Sequence, residues 1–205
     1  MTAPQHQTAE GMTIWLTGLP SAGKTTVGTE VTEQLGAAGL RVEFLDGDVI
    51  RKRLFPELGY TKHDRDENVL RLALLAQLLS RNGVIVVVAA IAPYRAIRQR
   101  IRESSANFIE VYINAAPSVC EQRDVKGLYR KARQGELVGF TGVDDPYESP
   151  LQPEVECRTD RETIAESAEK VLERVLDRLP ESTAADIRNR LGIWRSQLTQ
   201  RTSAQ

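Results

Sequence analysis

Short apolar runs alternate along the chain with longer segments in which apolar residues return every three or four positions. The first run, "MTIWLTG" (12–18), ends in glycine and predicts a strand. In residues 23–38, Val27, Val31 and Leu35 recur at helical spacing. "RVEFLDG" (41–47) predicts a second strand, and residues 64–81 a long helix opened by acidic side chains. "VIVVVAAIA" (84–92) does not alternate, so it reads as a strand covered on both faces, at the centre of the sheet. Pro93 closes it and a basic helix follows over 94–104. "FIEVYIN" (108–114) and the weaker "VECRT" (155–159) add two strands. Ile164, Ala168, Val171, Val175 and Leu179 form one stripe of a helix over 161–179. Strands alternating with helices predict an α/β domain over 12–179 with a five-stranded parallel sheet.

Two segments depart from this alternation. Residues 123–153 hold a basic cluster, four glycines and three prolines without a strand pattern. Long irregular stretches in compact domains are commonly lids or binding loops. Residues 180–205 begin at Pro180 as a helical appendage in which Ile187, Leu191, Trp194 and Leu198 share a face. That face either packs on its own domain or meets a partner copy. Residues 1–11 read as a disordered tail.

Composition narrows the class. The chain has 205 residues, 41% of them hydrophobic, which suits one compact core. A net charge of −1 supplies no field toward nucleic acid or an anionic membrane. Two cysteines, Cys120 and Cys157, and two histidines argue against a disulfide framework and a zinc site. The N-terminus lacks the apolar core of a signal peptide, and the longest apolar run is too short to span a bilayer. The expectation is a soluble cytoplasmic protein with no nucleic-acid or membrane partner.

"GLPSAGKTT" (18–26) is where chemistry enters. Gly18, Leu19, Pro20, Ser21, Ala22, Gly23, Lys24 and Thr25 match G-x-x-x-x-G-K-[ST] between a strand and a helix, and Thr26 follows. Backbone N–H groups and a helix N-terminus form an anion cradle there. Lys24 adds a cation for the β- and γ-phosphates, and Thr25 a hydroxyl for Mg²⁺. The ligand is a nucleoside triphosphate, read as ATP. No N-K-x-D base-reading motif is present, which disfavours a GTPase. A short chain with a lid favours a small-molecule kinase.

The acceptor side is read from the carboxyl ends of the strands, where open parallel sheets bind ligands. Asp46 and Asp48 stand there in "FLDGDVIRKRL" (44–54). Either can accept a hydroxyl proton or hold Mg²⁺; as an alternative they form a solvated acidic turn. Arg51 follows one turn later and can bind an anion. In "GYTKHDRDENVLRL" (59–72), Arg65 and Asn68 lie three residues apart on one side of a helix, suited to an anion and to an amide or base edge; the acidic residues alone suit a helix cap. "AAIAPYRAIR" (89–98) puts Pro-Tyr-Arg at the same crevice. Arg123, Lys126, Arg130, Lys131 and Arg133 either close over phosphates or form a solvated basic helix.

Together "GLPSAGKTT", "DGDVIRKRL", "DRDENVLRL", "IAPYR", "FIEVYI", "CEQRDVKGLYRKAR" and "FTGVDDPYESP" resemble, in this order, the adenylyl-sulfate kinase (APS kinase) family. The resemblance spans about residues 12–179. It implies a P-loop, nucleoside-kinase-like three-layer sandwich that makes 3′-phosphoadenylyl sulfate from ATP and adenylyl sulfate in sulfate activation. Matching positions imply roles. Arg51, Arg65 and Asn68 would bind adenylyl sulfate, Tyr60 and Phe140 would sandwich its adenine, and Asp48 would be the base at the ribose 3′-hydroxyl. Lys126 and the backbone at Ile91 and Ala92 would complete that pocket. Arg123 would join the ATP side, and Thr25 and Asp46 the Mg²⁺. The family further implies a homodimer, with the apolar helix 69–79 as a compatible face, and leaves room for a sulfurylase partner.

The sequence departs from the family pattern at Pro20 and Ser21, where Ser-Gly is more frequent, at Val49 for asparagine, and at Tyr60 for phenylalanine. The largest departure is Ala92, where the family's "ISPYR" carries a serine described as a phosphoserine intermediate. Alanine has no hydroxyl, so that role does not transfer and direct in-line transfer is expected. The competing readings are a similar kinase acting on a gluconate, a shikimate or a nucleotide, and a non-catalytic nucleotide-binding regulatory subunit. An adenine sandwich separates the first from a sugar-acid kinase; intact Lys24, Thr25, Asp46 and Asp48 oppose the second.

Overall fold

In the computed structural model residues 11–202 are described, with side chains as far as residue 194. The expected tail, apart from Gly11, and Leu198 lie outside these limits. In chain order the elements are β1 (Met12–Thr17), α1 (Lys24–Ala37), β2 (Val42–Asp46), α2 (Gly47–Leu54), α3 (Lys62–Ser80), β3 (Ile85–Ala89), α4 (Arg95–Glu103) and β4 (Phe108–Asn114). They continue with α5 (Pro117–Arg123), α6 (Leu128–Arg133), β5 (Val155–Arg158), α7 (Ile164–Leu176) and α8 (Glu181–Thr202).

All five strands are parallel, in the order β2-β3-β1-β4-β5. The middle strand is therefore β1, with the 84–92 segment beside it rather than at the centre. Both strands are buried along their whole length, so the pattern of apolar positions does not separate them. Side-chain alternation divides the core into two layers. Ile14 and Leu16 face α1 and α7, among Val27, Val31, Leu35, Val171 and Val175. Trp15, Val86 and Val88 face α3 and α4, among Val69, Leu72, Ile97 and Ile101. The result is the expected three-layer sandwich, which directs the carboxyl ends of β1, β2 and β3 to one edge.

Local chemistry sets the helix starts. Thr61 with Asp64, and Thr163 with Glu166, form reciprocal capping boxes for α3 and α7. Ile164, expected on the buried stripe of α7, is exposed at that helix's first position. Three short helices carry no apolar stripe. For α2 the Asp46 carboxylate supplies the start, accepting from the Asp48 and Val49 N–H groups at 2.9 and 3.1 Å. Pro117 opens α5, and α6 lies inside the stretch expected to be irregular. The appendage α8 packs on its own domain through Ala184, Ile187 and Leu191 against Ala38 and Leu176.

Candidate active site

The donor loop is shaped by backbone conformation. A Cβ on Gly18 would stand 2.3 Å from the Ile113 carbonyl oxygen, so only hydrogen fits there. Gly23 caps α1 at φ +105 with no side-chain cap bond. The first-turn N–H groups and the positive end of the helix dipole are thus presented at the loop. Lys24 Nζ donates to the Gly18 and Leu19 carbonyls at 2.9 and 2.7 Å, contacts that an anion can replace. Burial lowers its pKa to about 8, against the opposing pull of Asp48. Thr25 Oγ1 donates to Asp46 Oδ2 at 2.9 Å, joining the loop to the end of β2. On the far rim, the Ala22 carbonyl accepts from Thr159 Oγ1 at 2.6 Å and Arg123 Nη1 at 3.3 Å.

Asp48, in the first turn of α2, faces the same edge. Its carboxylate pairs with Lys126 from the connection between α5 and α6, and that hydrogen bond raises the Lys126 pKa. Arg51 lies 4.5 Å from the centre of the Tyr60 ring and donates to the Gly59 carbonyl. Tyr60 is 70% exposed, with one ring face toward Arg51. Arg65 reaches in both directions. It donates to the Tyr60 carbonyl at 2.9 Å, to Asp145 at 2.8 Å, and to the Thr141 hydroxyl and Gly139 carbonyl on either side of Phe140. Buried Asn68 keeps an amide oxygen with no hydrogen-bond partner among the described residues, a vacancy that an N–H or O–H donor can fill. Phe140 packs edge-on to Tyr129, ring centres 5.0 Å apart. Tyr129 in turn donates to the Pro20 carbonyl at 3.2 Å, which ties the 123–153 segment to the donor loop.

A second part of that segment crosses the loop between β3 and α4. Glu148 N donates to the Pro93 carbonyl at 2.8 Å, and its carboxylate accepts from Arg95 N at 2.7 Å. Tyr94 OH contacts both Asp145 carboxylate oxygens at 3.1 Å. Thr17 Oγ1 donates to the Ile91 carbonyl at 2.6 Å and lies 3.0 Å from Tyr147 OH. Ala92 is buried at the middle of this loop.

The expected donor residues Gly18–Thr26 with Arg123, and the expected acceptor residues Asp48, Arg51, Tyr60, Arg65, Asn68, Ile91, Ala92, Lys126 and Phe140, thus lie on β-strand-end loops, on α1, α2, α3 and α5, in the connection between α2 and α3, and in the 123–153 segment. Sequence reasoning missed Thr17, Tyr129, Asp145, Tyr147 and Thr159. Their partners are distant in the chain, and no motif that reads consecutive residues links them.

A phosphate cradle at the end of the middle strand β1, a carboxylate where β2 passes into α2, and a basic segment tied to both define a P-loop kinase. The family model for adenylylsulphate kinase matches residues 10–158. An adenylyl-sulfate kinase of Picosynechococcus sp. is 54% identical over 167 residues, covering 82% of this chain and 94% of that protein. The APS kinase CysC of Mycobacterium tuberculosis, solved in complex with AMPPNP and APS, superposes with a TM-score of 0.77 at 39% identity, covering 81% of this chain and 98% of that one. A hexameric APS kinase from Thiobacillus denitrificans is 31% identical with a TM-score of 0.62, over 82% of this chain and 29% of that one. The chain belongs to the adenylyl-sulfate kinase family.

Proposed function

We propose that this protein transfers the γ-phosphoryl group of ATP to the ribose 3′-hydroxyl of adenylyl sulfate, giving 3′-phosphoadenylyl sulfate and ADP. The observation that carries this reading is Asp48, an exposed carboxylate in the first turn of α2 whose charge acts on Lys24 of the cradle, in a chain 39% identical to a kinase solved with APS and AMPPNP.

The donor loop holds the triphosphate through its N–H groups, and Lys24 leaves the Gly18 and Leu19 carbonyls for the β- and γ-phosphates. Thr25 Oγ1 and Asp46 Oδ2, 2.9 Å apart, offer oxygen atoms only, which suits Mg²⁺, and these two residues would hold it. Mg²⁺ there supplies charge neutralisation at the transferred phosphoryl group. Asp48 accepts the 3′-hydroxyl proton after Lys126 has swung from the carboxylate to the substrate's anionic groups. Arg51 and Arg65 hold the phosphate–sulfate end. The unpartnered Asn68 oxygen accepts from the adenine amine, and Tyr60 and Phe140 flank the ring. Residues 123–153 act as the lid, with Tyr129 as its hinge point on Pro20.

Transfer is direct. The Ala92 side chain has no nucleophile, and burial raises the pKa of Tyr94, whose hydroxyl is engaged by Asp145. Phosphoryl transfer needs positioning and charge neutralisation rather than a covalent relay. The enzyme acts in the cytoplasm as a homodimer, with the outer face of α3 as the contact. Leu74 and Leu78, one helical turn apart, are 56% and 37% exposed there.

A coupled assay of ADP release, run with Mg-ATP and a panel of acceptors, tests the reading. Adenylyl sulfate should be the preferred acceptor over AMP, gluconate and shikimate. Preference for AMP or a sugar acid would refute it.

A further inference from the structure

Among the described residues, Ser21 and Ala92 take left-handed φ values without being glycine. Ser21, at φ +59, belongs to the phosphate cradle, where a left-handed residue helps turn successive N–H groups toward an anion. Ala92, at φ +42 and 1% exposed, has no such account. A non-glycine residue stays in that region only where its surroundings over-determine it, and such residues cluster at functional sites.

The surroundings here centre on Arg98, which is 3% exposed. Its guanidinium donates in three directions: Nη1 to the Ala92 carbonyl at 2.5 Å, Nη2 to the Glu148 carbonyl at 2.5 Å, and Nε to Glu110 at 2.8 Å. Glu110 is fixed from behind. It also accepts from Arg102 at 3.1 Å, Arg102 pairs with Glu154, and Glu154 accepts the Glu110 backbone N–H at 2.7 Å. Arg98 lies 5.7 Å from the centre of the Tyr147 ring, and the Tyr147 hydroxyl touches the Thr17 hydroxyl that holds the Ile91 carbonyl. One buried cation therefore joins β4, the loop between β3 and α4, and the segment crossing that loop. The Arg98 side chain itself is buried, so its influence on the reaction passes through the loop it holds.

We propose that Arg98 is a positioning residue for the acceptor. By holding the Ala92 peptide left-handed it fixes the Ile91 backbone and Tyr94 at the adenylyl sulfate pocket. This rests on the acceptor reading of the loop given above. Lysine cannot take over the role, because a single ammonium does not reproduce a planar fork with donors in three directions.

The test compares Arg98→Lys with Arg98→Lys/Ala92→Gly. Glycine adopts positive φ without steric cost, so it removes the need for a clamp. Arg98→Lys should raise the KM for adenylyl sulfate by ~10- to 10²-fold, the scale of a misplaced substrate, with the KM for ATP within about twofold of the parent. Amide hydrogen exchange over residues 91–95 should speed up in parallel. The added Ala92→Gly should recover most of the adenylyl sulfate KM. Should Arg98→Lys fail to fold, Glu110→Gln, which weakens the anchor while keeping its shape, should show the same KM split in smaller measure. Equal loss for both substrates, lowered Tm with unchanged KM values, or no recovery with glycine would overturn the proposal. A parent enzyme that does not phosphorylate adenylyl sulfate would refute the acceptor reading instead, and this assignment with it.

Discussion

Lys24 links its environment to a pH dependence that can be measured. Burial lowers its pKa to about 8, so in the free enzyme the ammonium is lost as pH climbs through 8, well below the ordinary value for lysine. A neutral amine no longer neutralises phosphate charge, so kcat/KM for ATP, which reports free-enzyme ionisations, should fall above pH about 8 with loss of one proton. Bound phosphates favour the charged form, so kcat should hold to higher pH. A kcat/KM flat to pH 10 would show that this lysine does not titrate there. Asp48→Ala should lower kcat by ~10²-fold or more, the usual scale for a positioned proton acceptor; near-normal kcat would remove it from the chemistry. At this scale the donor site was legible because Gly18 to Thr25 are consecutive and each type has a physical task. Asp46 and Asp48 were legible as a pair, but their different partners, Thr25 and Lys126, were not. Arg98 with Glu110 and Thr17 with Tyr147 were invisible, since they meet only after the sheet has formed.

Elements were legible where one face is apolar. The spacing of Val27, Val31 and Leu35, and that of Ala168, Val171 and Val175, marks α1 and α7 because those faces are buried. The short helices α2, α5 and α6 are specified instead by a capping carboxylate, a proline and a left-handed glycine, signals that periodicity does not carry. The face of α8 was read correctly as apolar but left two destinations open, and packing on Ala38 and Leu176 selects its own domain as far as Leu191. Ile187→Ala or Leu191→Ala should therefore destabilise the fold by about 2–5 kcal/mol while leaving both KM values near the parent's. Denaturant melts and steady-state kinetics check this, and a change in KM without a loss of stability would contradict it. For the lid segment, base stacking on one ring is worth about 1–3 kcal/mol. Phe140→Leu should then weaken adenylyl sulfate binding by roughly 5- to 150-fold and ATP binding much less. Equal loss for both nucleotides would mean that Phe140 only secures the lid through Tyr129.

For the whole molecule, strand–helix alternation was enough to predict an α/β domain with a parallel sheet, because crossover handedness and burial leave few arrangements; the three-layer sandwich came from the family resemblance. It did not order the strands: β1 and β3 are equally buried, and only pairing of Trp15 with Val88 and of Trp15 with Glu110 shows that β1 lies between β3 and β4. The exposed leucines of α3 belong to this scale as well. Leu74→Glu should convert a dimer to a monomer in analytical ultracentrifugation, and an unchanged mass would move the contact elsewhere. Transfer of the γ-phosphoryl group straight from ATP to the 3′-hydroxyl of adenylyl sulfate within one crevice has a stereochemical signature. The most direct measurement uses ATP made chiral at the γ-phosphorus, with adenylyl sulfate as acceptor, followed by location and stereochemical analysis of the transferred group. The group should lie on the ribose 3′-oxygen with inverted configuration at phosphorus. Retention of configuration, or a phosphoryl group on any other oxygen, would contradict it.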